Sequence, residues 1–444
     1  WVSVEYGWDN VTKQQFIANG SYILQNNIIT GIKLYKDIVF ISVPRWRTGV
    51  PFTLNKVVLH PVTRAPILQP YPSSVLQNVD NCDMLQNVQS MEIDPDGRMW
   101  ILDVGRKYFI DNTQHADNSC PPKLWIWDIE REQLDRVYIF PSHVVNRTNS
   151  FLNDLVIDSV QRIAYITDVF GAPFNGAIVS YDYAQNLSNR FADKVMCFDA
   201  ADSDARNISI GSYKLYTSTA IDGIALSPDR KWLYFCPLSS YRLYRVPTLN
   251  VRRYRNDSLH AIQFVGTRTS QTDGMTFSNA SMLYFGGLSK SAVFAMQQNE
   301  VEVAESDYVT EHSFMFMQDN DTLQWPDTFA WDNNGYLYFT TNRLHRYMLN
   351  NMDWTGQEGA NFRILRMYVG QSSYMMPQQL QPSIDTDTHV TRFPKTIVVV
   401  TSGAFLLVLI VAALCFALWI RSSRKRALRY YKDSKIIQSY VQMN

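Results

Sequence analysis

Asp94-Pro95-Asp96-Gly97-Arg98-Met99-Trp100-Ile101 reads as a tight turn followed by an apolar strand. Asp, Pro and Gly bend the backbone, and Met-Trp-Ile supplies bulky side chains that favour extended chain. The same pattern returns along the chain. It stands at Lys36-Asp37-Ile38-Val39-Phe40-Ile41 and, more loosely, from Asp158 to Ile166, ending Ala164-Tyr165-Ile166. Further copies are Ser227-Pro228-Asp229-Arg230-Lys231-Trp232-Leu233-Tyr234-Phe235, Ser278-Asn279-Ala280-Ser281-Met282-Leu283-Tyr284-Phe285 and Asp332-Asn333-Asn334-Gly335-Tyr336-Leu337-Tyr338-Phe339. The aligned aromatics, Phe40, Trp100, Tyr165, Tyr234, Tyr284 and Tyr338, are 60, 65, 69, 50 and 54 residues apart. Each copy is a hairpin, and another strand often follows, as at Lys123-Leu124-Trp125-Ile126-Trp127-Asp128 and Ala177-Ile178-Val179-Ser180-Tyr181-Asp182. Units of this size fit the four-stranded sheets of a propeller, so six copies predict an all-β, six-bladed β-propeller. A β-sandwich pair does not explain a sixfold recurrence.

Composition agrees with a folded β protein. Of 444 residues, 46% are hydrophobic, 13% aromatic and 18% charged, which excludes disorder as the main state. Formal charge is zero but unevenly placed. Residues 421–444 carry Arg421, Arg424, Lys425, Arg426, Arg429, Lys432 and Lys435 against Asp433, which leaves the remainder mildly acidic. Such a body does not suit nucleic acid.

Thr396 to Ile420 contains no charged residue, and about 20 apolar residues span a bilayer as a helix. Trp419 suits the headgroup zone, and Arg421, Arg424, Lys425 and Arg426 place that end in the cytoplasm. The expected organisation is a propeller ectodomain over residues 1–369, a polar stalk over 370–395, a transmembrane helix over 396–420 and a basic cytoplasmic tail over 421–444. A start at Trp1 rather than Met is read as a signal peptide already removed, giving a type I protein of the plasma membrane. Eight glycosylation sequons precede the apolar run, at Asn10, Asn19, Asn146, Asn186, Asn207, Asn256, Asn279 and Asn320. Cys82, Cys120, Cys197 and Cys236 lie in the body, an even number suited to two disulfides, and Cys415 lies in the apolar run. Cys82 is paired with Cys120, since the two flank the second hairpin, and Cys197 with Cys236 by elimination.

Several runs resemble the Yellow and major royal jelly protein family. They include Val43-Pro44-Arg45-Trp46-Arg47-Thr48-Gly49-Val50-Pro51-Phe52-Thr53-Leu54-Asn55, Gly97-Arg98-Met99-Trp100-Ile101-Leu102-Asp103 and Cys120-Pro121-Pro122-Lys123-Leu124. Tyr234-Phe235-Cys236-Pro237-Leu238, Leu323-Gln324-Trp325-Pro326-Asp327 and Thr341-Asn342-Arg343-Leu344 continue the likeness, which covers roughly residues 5 to 350. The resemblance implies a six-bladed propeller. It also implies roles that range from pigmentation and dopachrome conversion to binding of biogenic amines. The amine contacts of the last blade would fall at Asp327, Asn342 and Leu344, where Leu344 stands in place of a commonly aromatic residue. An anchor is a departure, since family members are usually secreted and soluble.

Propeller ligands commonly sit at one mouth of the channel, among loops that precede the innermost strands. Those positions carry Asn153-Asp154, Asp222-Gly223, Asp273-Gly274 and Asp327-Thr328. Carboxylates repeated blade by blade predict an acidic cup for a cation, either a protonated amine or a metal ion such as calcium held with Asn153 and Asp222. The competing reading is that each Asp caps its own turn. Two enzymatic alternatives use the same carboxylates: dopachrome conversion by proton transfer, and metal-dependent lactone hydrolysis. Neither is singled out, because no paired histidines, Gly-x-Ser-x-Gly or His-Glu-x-x-His occur. The expectation is a cell-surface recognition or ligand-binding protein, with an extracellular protein or a second copy of the chain as its macromolecular partner.

Overall fold

In a computed structural model, which describes residues 1–60, 66–110, 116–170, 176–253, 261–298 and 308–377, the six hairpins become six radial sheets. Blade 1 holds β1 (Ile32–Tyr35), β2 (Ile38–Ser42), β3 (Leu54–Leu59) and β4 (Pro66–Pro70). Blade 2 holds β5 (Val88–Ile93), β6 (Arg98–Asp103), β7 (Lys123–Asp128) and β8 (Gln133–Ile139). Blade 3 holds β9 (Leu152–Asp158), β10 (Ile163–Asp168), β11 (Ala177–Asp182) and β12 (Leu187–Phe191). A separate hairpin, β13 (Asn207–Ile210) with β14 (Tyr213–Tyr216), precedes blade 4, which holds β15 (Ile221–Leu226), β16 (Trp232–Pro237), β17 (Arg242–Pro247) and β18 (Gln263–Thr267). Blade 5 holds β19 (Met275–Phe277), β20 (Met282–Gly287), β21 (Ala292–Gln297) and β22 (Ser313–Gln318). Blade 6 has three strands among the described residues, β23 (Trp325–Trp331), β24 (Tyr336–Asn342) and β25 (Arg363–Tyr368). Within each blade the strands follow chain order, and β1, β5, β9, β15, β19 and β23 adjoin in a ring around the channel.

The turn residues explain why the hairpins form. Asp94 Oδ1 accepts from the amides of Asp96 and Arg98, and Asp332 Oδ1 accepts from those of Asn334 and Tyr336. Asp158 Oδ1 does the same for Val160 and Gln161, while Ser227 Oγ accepts from Trp232 N and Ser278 Oγ from Met282 N. A short polar side chain thus satisfies turn amides that the ladder cannot reach. All six aligned aromatics lie on the second strand of their blade. Five are at most 2% exposed, and Tyr338 is half-buried. Burying each such ring contributes roughly 1.5–3 kcal/mol.

Two of the family-like motifs are structural fasteners. Arg45 is fully buried, and its guanidinium donates to the carbonyls of Val50, Leu85, Gln86, Pro51 and Gln77, so the charge is solvated by backbone from blades 1 and 2. Asp103 accepts from the amides of Gln86, Asn87 and Gly105 and pairs with buried Lys123 at 3.0 Å. Lys123 also donates to Cys82 O, beside the Cys82–Cys120 disulfide. The ring is closed between blades 6 and 1 by Thr340 Oγ1 donating to Thr30 O at 2.6 Å and Asn342 Nδ2 to Ile29 O at 2.9 Å. The first residues stitch the same seam from outside. Phe362 N donates to Trp1 O, and Leu68 N to Glu5 O.

Several expectations need correction. Cys197 and Cys236 are not joined. Cys236 is buried in β16 with its thiol toward Thr272 O, and burial pushes both thiols up from their usual range. The body does not end at residue 369, because residues 371–377 pack into it with Tyr374 and Met375 buried. Asn279 is buried as well, with its side-chain amide turned into the protein. Asn10, Asn19, Asn146, Asn186 and Asn320 are exposed and Asn207 is half-buried. Asn256, the rest of the expected stalk, Thr396 to Ile420 and the basic tail lie outside the described residues. Among the described residues no helix is long and apolar enough to cross a membrane.

Peptide mapping without reduction should recover Cys82 linked to Cys120, with Cys197 and Cys236 alkylated once the chain is denatured. The bridge closes a separation of 38 residues. Removing it should cost roughly 4 kcal/mol in the chain-entropy account, read by denaturant melts. A Cys197–Cys236 peptide would refute the thiol assignment.

Candidate functional site

The loops that feed the innermost strands converge on one mouth of the channel. There Asn153, Asp154, Asp222, Asp273, Asp327 and Leu344 line a single cavity of about 580 Å³. Asn342 stands directly behind, donating through Nδ2 to Asp327 Oδ2 at 2.8 Å. Every residue expected at the cup is therefore brought to one place. Glycine explains how the carboxyls come so close. A Cβ on Gly223 would lie 2.2 Å from Asp273 O, and one on Gly274 would lie 1.8 Å from Asp327 O. Each Asp-Gly pair thus presents a carboxyl and lets the next blade's aspartate backbone press against it.

Side chains from successive blades form a hydrogen-bonded belt. Trp46 Nε1 donates to Gln89 Oε1 at 2.9 Å, Gln89 Nε2 to Asn153 Oδ1 at 2.8 Å, and Asn153 Nδ2 to Asp222 Oδ1. From the other side Trp325 Nε1 donates to Asp273 Oδ2 at 2.6 Å. Asp222 and Asp273 interact side chain with side chain, acceptor facing acceptor, so a proton or a cation between them would relieve their repulsion. Ser90 Oγ donates to Asp154 Oδ1 at 2.9 Å, another contact across blades. Local capping is a minor part of the pattern, confined to Leu155 N on Asp154 and Thr328 Oγ1 on Asp327.

Burial and mutual repulsion set the protonation of these groups. Asp222 is pushed up to about 8 by desolvation, then by Asp154 and Asp327. Asp273 is held well above the ordinary carboxylate range by desolvation and by Asp222 and Asp327. Asp327 rises to about 7, chiefly through burial, although Asn342 and Thr328 oppose the shift. Deeper in the channel Lys33 pairs with buried Glu92 at 3.3 Å and donates to Phe329 O at 2.8 Å. Its charge partly offsets the burial that raises Asp154. Above the acidic floor Trp46, Phe109, Phe151, Phe170 and Trp325 stand along the cavity wall, together with the polar side chains of Arg106, Thr217 and Thr219.

Calcium fits this arrangement poorly. Among the described residues no three acidic, His or Cys side chains gather as ligands of one ion, because the carboxyls are held in pairwise bonds to Asn153, Trp325 and Asn342. The aromatic wall and Lys33 escaped the sequence reading. Trp325 had the clearest signal, two residues before Asp327 in a quoted motif. Leu344 does lack a ring, but Trp325 of the same blade and aromatic side chains of blades 1, 2 and 3 line the cavity.

A family model described as Major royal jelly protein matches residues 86–375. The chain belongs to the major royal jelly protein family. Protein yellow of Drosophila erecta is 26% identical over 379 residues, covering 82% of this chain and 67% of the relative. Protein yellow of Drosophila madeirensis gives the same identity and covers 64% of its own length, so the chain spans about two thirds of these relatives. Among solved structures, a luciferin-regenerating enzyme aligns with a TM-score of 0.45 at 13% identity, over 78% of this chain and 93% of that one. A calcium-binding regucalcin from Agrobacterium tumefaciens aligns at 0.46 and 14%, over 79% and 92%. At these scores the likenesses carry no conclusion about ligand or activity.

For this royal jelly family propeller the sign of the pH effect follows from the raised carboxyls. A carboxyl whose folded pKa exceeds its unfolded value stabilises the fold fully below the unfolded pKa, near 4, and loses that contribution as pH rises through its folded pKa. The propeller should therefore lose stability as pH rises from about 4 through the values of Asp327, about 7, and Asp222, about 8, with Asp273 adding to the loss. We expect Tm to fall by about 3–6 °C between pH 5 and pH 9. Asp222→Asn should flatten that dependence and raise Tm at pH 8. A parent and variant with parallel pH profiles would exclude repulsion among the floor carboxyls.

Proposed function

We propose that this protein is a cell-surface binding propeller whose cup takes a small organic cation that carries a flat ring. The observation that carries the reading is the shape of one cavity: carboxyls from four blades at its floor and five aromatic side chains along its wall. An ammonium at the floor replaces the proton that Asp222 and Asp273 otherwise share and relieves the repulsion among them. A ring lies against Trp325 or Phe151 and contributes apolar burial. A neutral ligand would leave the floor carboxyls protonated and gain no charge pairing from them. The uncharged run from Thr396 to Ile420 with its basic flank supports anchoring in the plasma membrane with the propeller outside. Surface recognition of a protein partner or a second copy is compatible with the same placement.

Calorimetry on the ectodomain with phenethylamine and its uncharged analogue 2-phenylethanol tests the reading. The amine should bind at least tenfold more tightly and release protons on binding, so its affinity should rise between pH 6 and pH 8. Asp273→Asn should weaken the amine at least tenfold and leave the alcohol unchanged. Equal affinities for the two compounds would sink the proposal.

One observation favours a second reading. Asp327 and Asp222 hold protons near neutral pH inside a cavity large enough for a bicyclic ring, which suits them to general acid–base transfer in dopachrome conversion. Loss of dopachrome absorbance should then be accelerated by the ectodomain, with Asp327→Asn at least tenfold slower. Absence of any acceleration by the parent removes this reading.

A further inference from the structure

The opposite end of the channel is occupied by the chain itself. Residues 371–377 add no strand to any blade, yet they are held across the distal openings of several. Ser373 bridges Ser278 at the end of blade 5's first strand, Asn279 N donates to Ser372 O at 2.9 Å, and Tyr284 Oη donates to Gln371 Oε1 at 3.1 Å. Tyr374 is 3% exposed, and its hydroxyl accepts from Ile157 N at 3.0 Å. Ile157 lies on β9, an innermost strand of blade 3, so the amide bonded to Tyr374 serves the channel rather than a neighbouring strand. Together with Met375, Tyr374 roofs a chamber of about 150 Å³, whose walls include Lys33, Glu92 and Thr276.

Asn279 is the latch of this arrangement. Its Oδ1 accepts from Ser372 N at 3.1 Å and its Nδ2 donates to Pro377 O at 3.1 Å. Nδ2 is also the atom to which an oligosaccharide would be joined, because Asn279-Ala280-Ser281 is a sequon. A sugar on that nitrogen would occupy the place of residues 372–377. Ser372 lies 93 residues further along the chain, so Asn279 emerges during synthesis well before the segment that covers it.

We propose that residues 371–377 form a plug, latched by Asn279, that closes the distal end of the channel, and that seating of the plug and glycosylation of Asn279 exclude one another. The plug makes the cup blind-ended, so a ligand enters and leaves only past the aromatic mouth. It also keeps water from the underside of the acidic floor, where Lys33 and Glu92 stand between Tyr374 and Asp154. This inference does not depend on what the cup binds.

Hydrogen exchange on the full chain, read by mass spectrometry for the peptide containing Ile157, tests it alongside glycopeptide mapping. In the parent, Asn279 should carry no sugar and the Ile157 amide should be protected. Tyr374→Phe, which keeps the ring and removes the acceptor, should speed that exchange at least tenfold, and Asn279→Ala should do so by releasing the segment. Exchange of residues 163–168 in the core of blade 3 should stay unchanged and reports global destabilisation separately. Should Tyr374→Phe fail that control, Asn279→Ala decides the question. Unchanged Ile157 exchange in a variant that passes the control would overturn the plug. A glycan on Asn279 together with a protected Ile157 amide would overturn the exclusion.

Discussion

The meeting of Asp222 with Asp273 is the constraint around which this site is organised. Donors arrive from both directions, through Asn153 on one side and Trp325 on the other, and leave two acceptors face to face. A shared proton can hold them together, and so can a cation. No rearrangement of the belt removes the choice, because Gln89 and Asn153 have already committed their amides to the neighbouring blades. Burial and mutual repulsion accordingly favour the protonated carboxyls, and under the proposed function a cation would take the place of a proton there.

That arrangement is tolerable only on a closed ring. Bringing like charges together opposes the fold, and the blades resist through contacts remote from the cup. Arg45 ties blade 1 to blade 2 through backbone carbonyls, and Asp103 with Lys123 fixes the loop that the Cys82–Cys120 bridge also holds. Thr340 and Asn342 lock blade 6 onto blade 1. Buried aromatics on each second strand supply the apolar burial that makes such a polar centre affordable. The glycines next to Asp222 and Asp273 complete the device by letting adjacent blades approach within the space that a methyl group would need.

The carboxylates of the site were legible on one physical basis. Asp154, Asp222, Asp273 and Asp327 recur at one position of a repeated unit, and a propeller turns such recurrence into convergence on the axis. Asn342 was legible by another route, the likeness of Thr341-Asn342-Arg343-Leu344 to the last blade of the family. Lys33 and Tyr374 were not, since neither belongs to the repeated position and both reach the channel by side-chain length or by a crossing segment. Pairing Cys197 with Cys236 by elimination failed because an even count says nothing of distance. Cys236 sits inside a blade, where its neighbours are strand residues and Thr272. Residues 370–377 read as a polar stalk from their composition, yet composition carries no record of the Ile157 amide that Tyr374 caps.

Local sequence decided the local structure here. Asp, Ser and Gly at the turns and aromatic strands at intervals of 50 to 69 residues specify hairpins, and six hairpins specify a six-bladed ring, because each unit needs neighbours on both sides to bury its faces. Closure of that ring decided the rest. It set the belt that runs from Trp46 to Trp325, the raised carboxyls of the cup, the aromatic wall and the plug at the distal mouth. Those features depend on groups that lie tens to hundreds of residues apart and meet only when the last blade docks on the first, and their protonation depends on the burial that docking creates.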